Sequence, residues 1–512
     1  MKRAQSVWTL SMLAFALTGA WAQDNSTPPP SSDEPPASTA QQPVPAYGQD
    51  NAAPPISENP PLSGVDLPSL EPHAAPLSYL QPGATLSESA ESNAGNALGG
   101  GGLTSVSRAL GSMILKRLWG NYDLAMDYVG GVAYYSLKGQ GWVTLQQMDI
   151  DQKILWKRGQ LSLRDSFSYL PEGNFGGAYG SLGSQGIGSL GNSAFGSFWG
   201  GSSLGNLGLA SRIMNVSLAD VSENLSPRST VTAAGGYAFT HYYGSDTLGT
   251  NFIGSSQISA QIGYNRLLTP RTQVAFVYGY QNFDFSVVGT AFHSQIIQGM
   301  YGHRISGRLD LLIGAGPQFT SINVNCTFLD VLASDRNCSL NSSGQPAGTI
   351  PTTKIGGAGQ VRLRYQLEKT SLTLEYQRFD TSGSGLFLGA QSDIVHVNVN
   401  RPISRVWSVL ADVGYSHNSR LQTLNQTLLS SCNGPGQPIC PGIDANSYSY
   451  GFIGGGFHRS FGRNWHAFFS YQFNKFALDR SYCGGASACN RISNRNITTF
   501  GLDWTPRPIR ID

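Results

Sequence analysis

From about Asn121 onward, apolar and polar side chains alternate with a period of two in segment after segment, and this confines the chain to antiparallel β-structure. Successive side chains of a strand point to opposite faces. In the first clear example Ile258, Ala260, Ile262 and Tyr264 share one face, while Ser259, Gln261, Gly263 and Asn265 share the other. Val361, Leu363, Tyr365 and Leu367 oppose Gln360, Arg362, Arg364 and Gln366, and Leu372, Leu374 and Tyr376 oppose Thr373, Glu375 and Gln377. Further on, Val395, Val397 and Val399 oppose His396, Asn398 and Asn400; Trp465, Ala467, Phe469, Tyr471 and Phe473 oppose His466, Ser470, Gln472 and Asn474.

Turn chemistry orders these segments. Short connections occur at 225–229, 268–272, 305–308, 368–370, 403–405 and 461–464, built on Pro-Arg, Gly-Arg and similar pairs. Longer, variable connections alternate with them and hold every cysteine. Counted this way, the chain forms about sixteen strands, the first at 121–136 and the last at 495–505. The expectation is an all-β protein: a transmembrane, antiparallel, up-and-down β-barrel with both termini at the short-turn end.

A soluble sandwich would alternate too, but its polar face would carry many Lys, Glu and Asp. Here only 12% of residues are charged, and the polar face is mostly Gly, Ser, Thr, Gln and Asn. That mild face suits a hydrated lumen, and the Tyr-, Trp-, Phe- and Leu-rich face suits lipid. Backbone groups in lipid must all be paired, so strands span a bilayer only as a closed cylinder.

The N-terminal region differs. Lys2 and Arg3 precede an apolar run from Val7 to Leu17 that ends in Ala20-Trp21-Ala22, so residues 1–22 read as a cleaved signal peptide. Residues 23–100 contain 15 of the 27 prolines, nine acids and no Lys or Arg. They read as a disordered, acidic, Pro/Ala/Ser-rich periplasmic tail with too few apolar residues to offset its chain entropy. Residues 101–120 are assigned as a linker, a plug or an extra strand, and 121–512 as the barrel.

Cys326, Cys338, Cys432, Cys440, Cys483 and Cys489 fall in three close pairs, and export to an oxidising compartment favours three local disulfides. No CxxC spacing or neighbouring His supports a metal site, and no cofactor is expected.

Two stretches, Leu161-Ser162-Leu163-Arg164-Asp165-Ser166-Phe167-Ser168-Tyr169 and Leu225-Ser226-Pro227-Arg228-Ser229-Thr230-Val231-Thr232, resemble the β-barrel porin-2 family. The resemblance covers about residues 105–512, rests on strand-and-turn style, and implies an outer-membrane barrel of a family in which some members serve exopolysaccharide export. It brings no binding residues. Thr499-Phe500-Gly501-Leu502-Asp503-Trp504 resembles the signal read by the barrel-assembly machinery, although the chain then continues through Pro506 to Asp512 rather than ending on an aromatic residue.

Chemistry-bearing motifs are sparse. Gly201-Ser202-Ser203-Leu204-Gly205 matches a nucleophile elbow but lies in a Gly/Ser tract without the strand and helix that motif needs. No catalytic constellation accompanies the histidines, and an enzyme is not expected. The polar-face set Arg362, Arg364, Glu375 and His396 is the candidate lumen site. A turn at Lys369 and Thr370 would put Arg364 opposite Glu375 and Arg362 opposite Gln377, either tuning the charge preference of a pore or bracing the wall. Residues 171–210 hold 13 glycines, five aromatics and one charge, and would narrow the channel if folded inward.

Two functions follow as expectations. The first is an outer-membrane channel for passive diffusion or export of polar solutes, with polysaccharide among the cargo classes. The second is a surface-structural or adhesive barrel with a plugged lumen and functional outer loops. The partners expected are outer-membrane lipid, lipopolysaccharide and the assembly machinery, and not nucleic acid.

Overall fold

A computed structural model of the chain describes residues 61–64, 78–93, 101–136, 141–170, 211–243, 252–285, 290–325, 339–340, 346–367, 369–421, 445–483 and 489–511. The signal-peptide assignment, the segment 171–210, the Gly201–Gly205 match and four of the cysteines, Cys326, Cys338, Cys432 and Cys440, lie outside the described residues.

Twenty-one strands run in chain order. They are β1 (Tyr79–Ser92), β2 (Leu103–Trp119), β3 (Tyr122–Tyr135), β4 (Gly141–Trp156), β5 (Gly159–Leu170), β6 (Ser211–Ser226) and β7 (Ser229–Tyr243). Next come β8 (Ser255–Thr269), β9 (Thr272–Phe285), β10 (Thr290–Ser306), β11 (Leu309–Asn325), β12 (Ser339–Leu340), β13 (Pro346–Ala347) and β14 (Thr349–Gln366). The series ends with β15 (Ser371–Thr381), β16 (Ala390–Pro402), β17 (Trp407–Arg420), β18 (Ser447–Phe461), β19 (Trp465–Leu478), β20 (Ile492–Trp504) and β21 (Ile509–Arg510).

Each long strand pairs antiparallel with the next, and β1 pairs with β20 from Ala84↔Trp504 to Glu91↔Ile497, which closes the sheet into a barrel. β12 and β13 form a separate small hairpin, and β21 adds to β1 through Tyr79↔Arg510 and Leu80↔Ile509. The long strands of the barrel therefore number 18. All sixteen segments expected from alternation are strands, and both described termini of the ring lie at the short-turn end.

The additional pair, β1 and β2, corrects one expectation and decides another. Residues 79–92 are a strand rather than part of a disordered tail, and of the three alternatives for 101–120 the extra strand is the one found, over 103–119. Their outward residues explain why alternation is faint: Ala84, Glu88 and Ala90 on β1 and Ser105, Ser107 and Ala109 on β2 give little apolar contrast with the inward Ser87, Ser89 and Arg108. Once β20 and β3 flank them, their backbone groups are paired on both sides, and local pattern no longer decides their structure.

Elsewhere the outward surface is apolar. Ile258, Ile262, Phe276, Ile313, Val395, Val413, Ile453 and Phe500 are exposed on it. At the short-turn end Trp119, Tyr122, Trp156, Phe461 and Trp465 form an aromatic rim, with Arg459 over the Trp407 and Phe461 rings. Tyr134, Trp142 and Tyr243 mark the long-loop end. The tail after Trp504, which departs from the assembly-signal pattern, is tied down by β21.

Candidate functional site: the lumen

Inward-facing side chains make the lumen, and at the level of the short-turn half they enclose a cavity of about 290 Å³. Gln160 and Arg164 on β5 and Asp220 on β6 line one wall, and Gln360, Arg362, Glu375 and Gln377 on β14 and β15 line another. Arg164 Nε lies 3.5 Å from Asp151 Oδ1 and 3.8 Å from Asp220 Oδ1, bridging β4 and β6 across β5. Asp127, Asp149 and Asp151 are buried on the same sector, so β3 to β6 form an acidic wall moderated by Arg164 and Lys153.

The four candidate residues all lie on this inner face, but in a different register from the one expected. Arg362 stands opposite Glu375, Arg364 opposite Thr373, and Gln360 opposite Gln377. The turn closes through Leu367 N donating to Thr370 O at 2.8 Å, one residue earlier than a turn centred on Lys369 and Thr370. A one-residue shift of a turn centre moves each cross-strand partner by two, which keeps the faces and changes the neighbours. Arg364 pairs instead with Asp310 on β11, Nε to Oδ2 at 3.8 Å. Glu375 is next to His396 in the ladder and accepts from Gln377 Nε2, while His396 Nε2 lies 2.6 Å from Asp412 Oδ1. The set is thus split: Arg362 and Glu375 line the cavity, Arg364 is bound into an ion pair within the wall, and His396 into a hydrogen bond with Asp412.

His466 also faces inward, with Nδ1 3.1 Å from Ser460 Oγ and its ring stacked on His458 at 4.9 Å. No cluster of metal-ligating side chains occurs among the described residues.

The long-loop end is narrowed by residues 382–389, a feature the sequence reading missed. This connection from β15 to β16 folds into the lumen through the 3-10 turn Gly383–Gly385 and buries Leu386, Phe387 and Leu388. Phe387 packs on Tyr448 with ring centroids 5.2 Å apart, in a cluster with Tyr450, Phe476 and Leu478 of β18 and β19. Leu388 packs the other way, against Phe283, Phe285, Phe292 and Ile322 of β9 to β11. Ile253 N donates to Gly385 O at 2.9 Å and Leu421 N to Gly389 O at 3.2 Å, fixing the loop at both ends. Gly383, Gly385 and Gly389 have φ of 77°, 78° and 85°, a backbone region that side chains disfavour. The signal available in sequence was Gly-Ser-Gly-Leu-Phe-Leu-Gly, three apolar residues framed by glycines in an otherwise polar connection.

The one described disulfide, Cys483–Cys489, joins residues in the β19–β20 connection at the same end.

No family model and no curated protein matches the chain. Among solved structures, Pseudomonas aeruginosa OccK2 (OpdF) aligns at 9% identity over 83% of this chain and 98% of its own, with a TM-score of 0.38. The outer membrane protein opdK from the same organism aligns at 9% identity over 83% and 98%, with a TM-score of 0.37. Acinetobacter baumannii OccAB1 aligns at 9% identity over 85% and 97%, with a TM-score of 0.38. Similarity this low says nothing of cargo, and the barrel assignment rests on the strand pairing itself.

Proposed function

We propose that the protein is an outer-membrane channel for the passive passage of small polar solutes. The observation that carries this reading is the pairing of an apolar outer belt, rimmed by aromatics, with a lumen whose walls hold Arg164, Asp220, Arg362 and Glu375 around a cavity. Lipid on one face and water on the other is the environment such a wall fits. A soluble barrel would gain nothing from exposing Ile262 or Phe276, at 53% and 57%. Long connections at one end and short turns at the other match an orientation with the short turns in the periplasm.

Cargo size follows from the narrowing at the long-loop end. A loop packed across the lumen, from Phe387 on β18 and β19 to Leu388 on β9 to β11, suits a small polar solute more than a polymer chain. Arg362 and Glu375 would bias ion passage, and the 382–389 loop would set the outer aperture.

The test is single-channel conductance of the refolded protein in planar bilayers, with the wild-type chain and with residues 383–388 replaced by a short Gly/Ser linker. Discrete open steps that enlarge in the shortened chain support the channel. Silence in both, from protein shown to be folded by heat-modifiable gel migration, would overturn it in favour of a plugged scaffold whose outer loops carry the function.

A further inference from the structure

Residues 61–64, Pro-Leu-Ser-Gly, lie inside the barrel against the inner faces of β7 to β11. They form a tight turn, with Gly64 N donating to Pro61 O at 3.0 Å. Ser63 is 1% exposed and all its polar groups are used. Its N donates to Asn265 Oδ1 at 2.9 Å, its O accepts from Thr232 Oγ1 at 2.9 Å and Gln261 Nε2 at 2.8 Å, and its Oγ meets Thr232 Oγ1 at 2.6 Å and accepts from Asn265 Nδ2. Leu62 packs on Ala275, Val277, Met300 and Leu312.

The wall is shaped for this segment. A Cβ at Gly263 would stand 2.2 Å from Ser63 Cβ, and one at Gly302 would stand 2.8 Å from Leu62 Cδ2. Neither glycine has a positive φ, so what its missing side chain provides is space. Glycine within a strand weakens it, and commonly marks a place where another backbone comes close. Two such positions, three hydrogen-bonding side chains and an apolar seat together make a binding cradle. Around the ring, β7 to β11 lie across the barrel from β1, where the same chain enters the wall. The turn also lines the cavity that holds Arg164, Asp220, Arg362 and Glu375, so it stands in the path a solute would take.

We propose that the inner wall of β7 to β11 is a binding site for a proline-initiated peptide turn, occupied in cis by residues 61–64, which act as a tethered plug of the short-turn half of the lumen. The role in conduction rests on the channel reading above, whereas occupancy of the cradle does not.

Two readouts on the full-length protein in lipid separate these. Ser63→Cys with Thr232→Cys places two thiols where the hydroxyls lie 2.6 Å apart, and oxidation followed by peptide mass spectrometry reports seating without any conductance. Gly302→Leu fills the cradle from the wall, and Leu62→Asp puts a carboxylate into the apolar seat; each, made in the double-cysteine chain, should abolish the cross-link. In single channels of the cysteine-free equivalents at these positions, both variants should raise conductance about twofold over wild type as lumen cross-section is freed. A conducting wild type with no cross-link overturns the proposal, because the segment is then not seated. A cross-link that Gly302→Leu and Leu62→Asp abolish, with conductance unchanged, overturns the plug role. Silence of every variant with the cross-link intact overturns the channel reading, and with it any role of the turn in conduction.

Discussion

The seam between β1 and β20 joins strands that no hairpin connects, and Glu91 is the residue whose loss tests how that seam is held. Both carboxylate oxygens are used: Oε1 lies 2.9 Å from Arg108 Nη2 on β2, and Oε2 pairs with Arg495 on β20. Glu91 is 0% exposed and both arginine side chains are under 5%. Arg108 Nη1 also donates to Ser89 Oγ at 2.5 Å, and Thr85 Oγ1 donates to Asp503 Oδ1 at 2.7 Å lower in the same seam. Two unit charges at this separation attract by roughly 6 kcal/mol at an effective dielectric constant of about 20, and desolvation of the three groups offsets much of that. Removing the carboxylate while keeping both guanidinium groups has the larger effect, because their attraction is lost and their mutual repulsion remains. Glu91→Ala should therefore cost about 3–5 kcal/mol. Glu91→Gln keeps hydrogen-bond acceptance through one oxygen and should cost less. The assay is reversible urea unfolding of the barrel in lipid vesicles, followed by tryptophan fluorescence and by heat-modifiable migration. A loss below about 1 kcal/mol for Glu91→Ala, the range of an exposed pair, would refute the argument that this triad holds the seam. So would a loss no different in a background already carrying Arg108→Met and Arg495→Met, where no charge remains to be stranded.

Ile262→Arg, at the centre of the exposed face of β8, should destabilise the barrel in vesicles by about 2–4 kcal/mol, as a charge at the bilayer midplane does; a change within about 0.5 kcal/mol would place that face in water. Arg362→Ala should shift ion preference towards cations and Glu375→Ala towards anions, each by about two- to fivefold in permeability ratio at low salt and less at high salt, read as reversal potential across a salt gradient. Reducing Cys483–Cys489 removes a constraint worth about 2 kcal/mol in a chain-entropy account of so short a loop. Trypsin should then cut after Arg480 and Arg491 several times faster while the barrel keeps its heat-modifiable migration, and loss of the folded band would contradict a purely local role.

Sixteen strand positions and six turns were legible from sequence because each depends on nearest neighbours. Alternation between Ile258 and Asn265 fixes which face is which, and Pro-Arg or Gly-Arg turns fix where the chain reverses. The faces of Arg362, Arg364, Glu375 and His396 were legible for the same reason, since a pleated strand has only two. Their partners were not, because a turn centred one residue earlier gives the same faces and a different ladder.

Strand β1 escaped the sequence reading and β2 was only one of three alternatives there, because their two faces differ little in polarity; what makes them strands is their place between β20 and β3, more than three hundred residues apart in sequence. The inward loop at Leu386 to Leu388 and the turn at 61–64 depend on walls contributed by β7 to β11, β18 and β19, and no local pattern records what lies across a barrel. The sequence by itself determined the repeating element, the sidedness of each strand and the composition of the two faces. Tertiary closure decided the strand number, the charge pairing and what fills the lumen, because each depends on which distant strands become neighbours.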